Sequence, residues 1–431
     1  MIFRWWLALR SRRNRIWLGA AGSALLAVAL ALLAKVANRF VADGAVPAVP
    51  RETLDDLLTV IASSMLAVAT FSLGVMVSAF ASTASTATPR ATELVMGDPG
   101  TRRAIASFVA AFIYAIVAKI ALGMGYYGAA GRFVLFLATL GVLAYLVVIL
   151  VLWVKTLSTL GRISDTLERI RGVAREALLA EARDPYLGGV PAAAQAPQGT
   201  AVHPERVGVV THVDMAAIQS AVAAAGCRAH LQVRPGDTVE PSRPMLVVHG
   251  DGHAGVDTAP LRDAVVIDWA RTFDQDPRFG MIVLSEVAQR ALSPAVNDPG
   301  TAIVVMNTMT ALLVQRAQVQ AEAQAETAAK GASAQAELRH DRVAVPAMDA
   351  AALVHDAYAP IARDGAGMCE VLERLIKAMA TLASNGRGTV AAAARRQAAQ
   401  ALAHGVQALR LPEERDRLRE VYRRTFGPSS D

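Results

Sequence analysis

Four long apolar runs separated by short charged turns fill the stretch from Met1 to Leu160, and the remaining 271 residues carry none. A hydrocarbon core of about 30 Å needs about 20 apolar residues in a helix. The runs at 16–37, 54–80, 104–124 and 133–154 all meet that length. Lipid leaves only helices and closed barrels with satisfied backbones, and these runs lack a barrel's alternation. The pattern predicts a four-helix transmembrane domain over 1–160. The first run exceeds the apolar core of a cleavable signal and three more follow it, so it reads as a retained anchor.

Past residue 160 the periodicity changes. A charged helix over 161–183 and a stretch rich in Ala, Gly, Pro and Gln over 188–200 predict a juxtamembrane helix and linker at 161–200. A small α/β unit is expected over 201–260. Its β-branched runs at 206–213, 228–233 and 245–249 read as strands, and 215–225 reads as a helix stopped by Gly226. From 261 to 431 the pattern is helical, with segments at 261–273, 280–292, 301–319, 350–361, 368–382, 390–409 and 413–425. The Ala, Gln and Glu rich stretch 315–336 fits either a solvated helix extension or a flexible insert. The fold class predicted is mainly α: a transmembrane domain, then a cytoplasmic α+β domain with a one-layer small sheet and a helical C-terminal region.

Charge sets the expected orientation. Arg4, Arg10, Arg12, Arg13 and Arg15 precede the first run, and Lys155, Arg162 and Arg169 follow the fourth. Positive flanks stay inside, so both termini are expected in the cytoplasm of a multi-pass inner-membrane protein. The net charge of +6 sits mostly in the N-terminal arginines. It suits a lipid bilayer with anionic headgroups and gives no support for nucleic-acid binding. Two cysteines, Cys227 and Cys369, are too few for a disulfide framework.

The second run differs from the others in its hydroxyls. On a wheel at 100° per residue, Ser63, Ser64, Thr70, Gly74, Ser78, Ser82, Ser85 and Thr88 fall within roughly 120°. Leu66, Leu73, Met76, Val77 and Phe80 are expected on the opposite side. The arc reads as the lining of a path for ions or small solutes, shared among several copies of the chain. The competing reading is close packing through the ladder Thr70, Gly74, Ser78 and Ser82. Glu52, Asp55 and Asp56 at the expected outer mouth could attract cations. Lys119, deep in the third run, is expected to snorkel to the headgroups.

Asp-Pro-Gly-Thr occurs twice, at 98–101 and 298–301. Asp at N-cap with Pro at N1 signals a helix start. The second copy sits in the string from Arg290 to Ala302, Arg-Ala-Leu-Ser-Pro-Ala-Val-Asn-Asp-Pro-Gly-Thr-Ala. That string resembles a family of bacterial predicted membrane proteins classed as domain of unknown function 2254. The resemblance extends to Arg234-Pro-Gly-Asp237, Arg271-Thr272, Asp276, Phe279-Gly280 and the Ser/Thr-rich end of the second run at Pro89-Arg90. Where the family is expected to show Asp-Ile-Ala, this chain has Glu286-Val287-Ala288. The resemblance implies a fold and a membrane location and supplies no activity.

Arg271, Asp276, Glu286, Arg290, Ser293, Asn297 and Asp298 belong to the stretches that carry the resemblance and are expected to cluster at a turn between two helices. They would form either a ligand-sensing network or a structural one. His249-Gly-Asp-Gly-His253 offers two imidazoles and a carboxylate, but its Gly-rich setting reads as an exposed loop, so no metal is expected. No phosphate-binding loop, H-E-x-x-H, C-x-x-C or nucleophile elbow is present. No catalytic residue or cofactor is therefore expected. The expectation is a homo-oligomeric channel or transporter, with a non-conducting membrane-anchored sensor or scaffold as the alternative.

Overall fold

The computed structural model describes residues 25, 29, 46–86, 88–96, 99–157, 162–330, 339–386 and 388–427. The predicted first span, 16–37, lies outside the described residues apart from Leu25 and Ala29. The chain divides into two compact units, Met1–Thr166 and Leu167–Asp431.

The first unit contains α1 (Arg51–Thr86), α2 (Pro89–Met96), α3 (Pro99–Gly123) and α4 (Ala129–Leu157). Helices α1, α3 and α4 are long and apolar enough to cross a bilayer. At 1.5 Å per residue, α1 runs about 54 Å and so continues beyond the predicted span at both ends. Its packing face carries Leu54, Leu58, Ile61 and Ala62 against Phe108, Tyr114 and Ala115 of α3. Alanines on α3 let the helices approach closely. Two hydroxyl bridges pin α3 to α4: Ser107 Oγ to the Tyr145 hydroxyl at 2.9 Å, and the Tyr114 hydroxyl to Thr139 Oγ1 at 2.9 Å.

The second unit opens on the continuation of α5 (Ile163–Arg183). Among the described residues eight short strands follow in two sheets, where the sequence suggested a single layer. The first sheet has the order β1-β8-β4-β6-β2, built from β1 (Val190–Pro191), β2 (Thr200–Val202), β4 (Arg228–Leu231), β6 (Leu246–His249) and β8 (Val343–Val345). Strand β8 pairs in parallel with both β1 and β4, and the remaining pairs are antiparallel. The expected linker 188–200 therefore supplies an edge strand. The second sheet is antiparallel, β5 (Thr238–Val239), β3 (Gly208–Val213) and β7 (Val265–Asp268). Residues 261–273, expected as one helix, instead form the end of the short α7 (Ala259–Asp263) and then β7. The run Val265-Val-Ile267 is β-branched and pairs with Val209–Val213 across the ladder.

Helix α6 (Met215–Ala224) matches expectation. The Asp214 carboxylate accepts from Ala217 N at 3.0 Å, and Gly226, at φ +69°, ends the turn that follows it. Ile218 and Val222 of this helix pack with Leu231, Met245 and Val343 into the sheet core.

The rest of the unit is helical: α8 (Phe279–Ala291), α9 (Pro299–Lys330), α10 (Ala350–Asp364), α11 (Cys369–Asn385), α12 (Thr389–Ala408) and α13 (Pro412–Phe426). The 315–330 stretch continues α9, and 331–338 lies outside the described residues. Helix α9 also reaches the length and composition of a span as the least apolar candidate. Its apolar side, however, packs within this unit through Val305, Met306 and Met309, and Arg316 forms a buried ion pair there with Glu181. We assign it to the folded core.

One contact fixes how α5 meets α8. A Cβ built on Gly280 would lie 2.4 Å from Ala174 Cβ, so only glycine permits the crossing. Gly280→Val is expected to destabilise the second unit by about 1–3 kcal/mol, read as a lower thermal unfolding midpoint, whereas Gly172→Ala, with open space around it, leaves that midpoint unchanged or raised.

Candidate functional site

The buried face of α1 is formed by Leu54, Leu58, Ile61, Ala62 and Ser72. The hydroxyl arc lies on the other side. Ser63, Thr70, Gly74 and Ser78 are exposed, and Ser64 and Ser82 are half-buried. Ser85 has a backbone within α1, but its side chain lies outside the described residues. Thr88 is buried after the helix end and caps α2, its Oγ1 accepting from Ala91 N at 3.2 Å. The expected apolar side needs correction. Leu66, Leu73 and Val77 are 50–58% exposed and flank the arc rather than opposing it.

Hydroxyls on a lipid-depth helix need acceptors, and several find them one turn back. Ser63 donates to Thr59 O at 2.9 Å, Ser64 to Val60 O at 2.5 Å, Thr70 to Leu66 O at 2.9 Å and buried Ser72 to Val68 O at 2.6 Å. These bonds engage the hydroxyl proton and not the two acceptor lone pairs of each oxygen.

Lys119 does not rely on snorkelling. Its Nζ donates to Asp55 Oδ2 at 2.8 Å and to Thr59 Oγ1 at 2.6 Å, joining α3 to α1. Nearby, Arg51 Nη2 donates to Gly123 O at 2.8 Å and Arg132 Nε to Val49 O at 3.2 Å. Asp55, expected to attract cations, is thus engaged by an ammonium. A lysine inside an apolar run calls for an acid at the same depth, a signal that the snorkelling expectation passed over.

In the second unit the signature residues form two groups at opposite ends of α8, about 20 Å apart by helical rise. The first is buried. Arg271 Nε donates to Asp276 Oδ2 at 2.7 Å, and Asp276 Oδ1 accepts from Arg278 N at 3.0 Å and Phe279 N at 3.2 Å, holding the start of α8. Asp276 is 1% exposed. The guanidinium of Arg271 lies 5.7 Å from the centre of the Phe279 ring. Gly236, at φ +96°, brings the Arg234–Asp237 turn against this pair, and a Cβ there would lie 2.5 Å from Asp276 Oδ2. Arg234 in turn donates to Pro185 O and Pro346 O. Burial lowers its pKa, with Glu181 and Asp237 acting in the opposite direction.

Glu286 faces the same side of α8 as Arg271 and Arg278. Together they line a cleft of about 870 Å³ with His355, Asp356 and His404. Arg278 Nε donates to Asp356 Oδ2 at 3.1 Å across this cleft.

The second group is a turn. Ser293 donates to Arg290 O at 2.7 Å, and Asn297 takes φ +50°, a left-handed conformation that Asn tolerates. Asp298 caps α9, accepting from Thr301 N at 3.0 Å and Thr301 Oγ1 at 2.6 Å. The Thr301 hydroxyl and then its amide hold the Asp298 carboxyl below the usual carboxylate range. The matching Asp98 lies outside the described residues, though α3 begins at Pro99. The His249–His253 segment is a turn running into a short 3₁₀ helix, with Gly250 and Gly252 at positive φ and His253 Nδ1 3.1 Å from Thr200 Oγ1.

Pattern reading missed a buried ion pair. Arg316 Nε donates to Glu181 Oε2 at 2.8 Å, and both side chains are 6% exposed. The pair lines a larger cleft of about 1130 Å³. The partners lie 135 residues apart in sequence, so no local pattern links them.

Three bilayer-length apolar helices in the first unit mark a helical membrane protein. A family model described as "Predicted membrane protein (DUF2254)" matches residues 13–381. The chain belongs to that family. It is also similar to uncharacterised proteins of Mycobacterium bovis and of two Mycobacterium tuberculosis strains, 50% identical over 48 residues. The match covers 11% of this chain and 9% of each relative's length. No solved structure matches the chain.

The geometry separates two roles for the signature. Arg271→Leu, which leaves Asp276 buried without its guanidinium, is expected to cost about 3 kcal/mol; Asp298→Ala is expected to cost about 1 kcal/mol as a lost cap. Chemical unfolding of the full chain measures both. Because the Asp298 carboxyl titrates below its unfolded value, its contribution is complete above about pH 4. It is lost as pH falls further, so the Asp298→Ala difference shrinks there.

Proposed function

We propose that this protein is a channel or transporter for ions or small solutes in the bacterial inner membrane, assembled from several copies of the chain. In this reading α1 turns Ser63, Thr70, Gly74 and Ser78 toward a shared path. The second unit is cytoplasmic, as are both termini, and it gates or assembles the path. No catalytic step is assigned.

The observation that carries the reading is the position of the hydroxyl arc, exposed on the side of α1 away from its packing face. Beyond the carbonyls of its own helix, a stripe of hydroxyls facing away from the unit's described helices gains a polar neighbour from another copy or from water. The arginine-rich flanks support the orientation.

A membrane-anchored sensor or scaffold is favoured by a different observation. Ser63, Ser64 and Thr70 already bond their own helix, which lowers the cost of facing lipid.

Reconstitution into liposomes separates the two. Wild-type protein is expected to carry ion or solute flux, and Ser78→Leu to lower it about tenfold by narrowing the path while leaving the thermal unfolding midpoint unchanged. Absent wild-type flux, or undiminished flux in the variant, contradicts the lining role.

A further inference from the structure

A hydroxyl that has given its proton to a carbonyl meets a passing ion only as an acceptor. Ser63, Ser64 and Thr70 each donate to a carbonyl of their own helix, so these oxygens of the arc offer lone pairs and no proton. Thr59, one turn before Ser63 and beside the arc, donates to Asp55 O, and its oxygen accepts from Lys119 Nζ. Ser78 makes no hydrogen bond among the described residues and can turn either its oxygen or its proton outward. No charged residue occurs between Asp56 and Arg90. Val60 and Phe71 share the exposed side, so the polarity of this face comes from its hydroxyls.

The described charges at the Arg51 end of α1 cancel in number, with Glu52, Asp55 and Asp56 against Arg51, Lys119 and Arg132. They do not cancel in place. On a wheel started at Ser63, Glu52 and Asp56 fall about 20° to either side, at the angles of Thr70 and Gly74. Arg51 falls about 120° away, on the side that packs against α3, where its Nη2 donates to Gly123 O. Lys119 holds Asp55, and Arg132 Nε donates to Val49 O. Glu52 and Asp56 are exposed and form no ion pair among the described residues. The acids thus continue the hydroxyl arc, while the cations stand behind it. At the opposite end Arg90, Arg102, Arg103 and Lys155 stand on α2, α3 and α4 rather than on the arc. The side chains of Glu93 and Asp98 lie outside the described residues.

Resting on the proposed role of α1 as a lining helix, we infer that the path carries small inorganic cations and excludes anions. Glu52 and Asp56 of each copy gather cations at one mouth, and the oxygens of Ser63, Thr70 and Ser78 replace part of the ion's hydration along the span. A cation finds acceptors already turned toward it. An anion meets the two carboxylates first, and then has to draw the protons of Ser63, Ser64 and Thr70 off their carbonyls. Each bond broken in this way lowers its passage about twofold to tenfold.

The test uses the full chain reconstituted into planar bilayers of electrically neutral lipid, with a potassium chloride gradient across them. The reversal potential gives the ratio of potassium to chloride permeability, expected to favour potassium at least about tenfold. The double variant Glu52→Gln, Asp56→Asn is expected to lower that ratio about threefold to tenfold. Its effect is larger in dilute than in concentrated salt, because screening shortens the reach of the carboxylates. Thr70→Val keeps the shape and removes the oxygen, and is expected to lower potassium conductance about threefold. Neither variant is expected to move the thermal unfolding midpoint. Absent wild-type current overturns the path itself and this inference with it. Current with equal or greater chloride permeability overturns the choice of cations and leaves the path standing. A ratio unchanged in the double variant overturns the role of the mouth carboxylates, and conductance unchanged in Thr70→Val overturns that of the hydroxyl oxygens.

Discussion

A polar group at membrane depth must find its hydrogen-bond partner inside the protein, and the first unit is arranged around that constraint. The hydroxyls of α1 donate to carbonyls one turn back, so the helix can present oxygen on an outward face without leaving a donor unmet. Lys119 follows the same rule with a partner on another helix, binding Asp55 and Thr59. The hydroxyl bridges between α3 and α4 follow it as well. The unit is held by small and apolar residues in contact, and the polar bonds determine which contacts are permitted.

The second unit solves a different problem, that of joining a helix, two small sheets and a layer of helices through a few tight junctions. The Arg271–Asp276 pair, the Arg234–Asp237 turn and the start of α8 meet at one of them. Gly280 against Ala174 is another. Residues quoted for the family therefore do local structural work: a buried carboxylate holds a helix start, and glycines allow backbones to approach. The cleft beside Arg271 and Glu286 remains the part of this region with room for a ligand.

Much of this was legible in the chain. Apolar runs of bilayer length announce themselves by composition, and α1, α3 and α4 lie where those runs fall. Gly226, Asp298 and Pro299 carry strong local signals for helix starts and stops, and the elements begin and end there. The β7 strand was misread because Leu261 to Phe273 mixes a short helix with a β-branched run, and only the pairing with β3 decides between them. Strands β1 and β8 have two and three residues, too few for periodicity to show. The Lys119–Asp55 pair spans 64 residues and the Glu181–Arg316 pair more than twice that, so these contacts exist only in the folded chain. Ser63 and Ser78 could be placed on one face from sequence, but Leu66 and Leu73 were put on the wrong side of the wheel. The buried face was visible only once α3 was in place.

The central claim is that the hydroxylated side of α1 borders water or another polar surface rather than acyl chains. Spin labels placed singly at Ser63, Thr70, Ser78, Leu66 and Leu73, in a chain lacking the buried Cys227 and Cys369, measure this directly in lipid bilayers. The account predicts that labels at Ser63, Thr70 and Ser78 relax faster with a water-soluble nickel reagent, whereas those at Leu66 and Leu73 respond more to oxygen dissolved in lipid. Oxygen dominating at all five positions would place the hydroxyls against acyl chains and contradict the account.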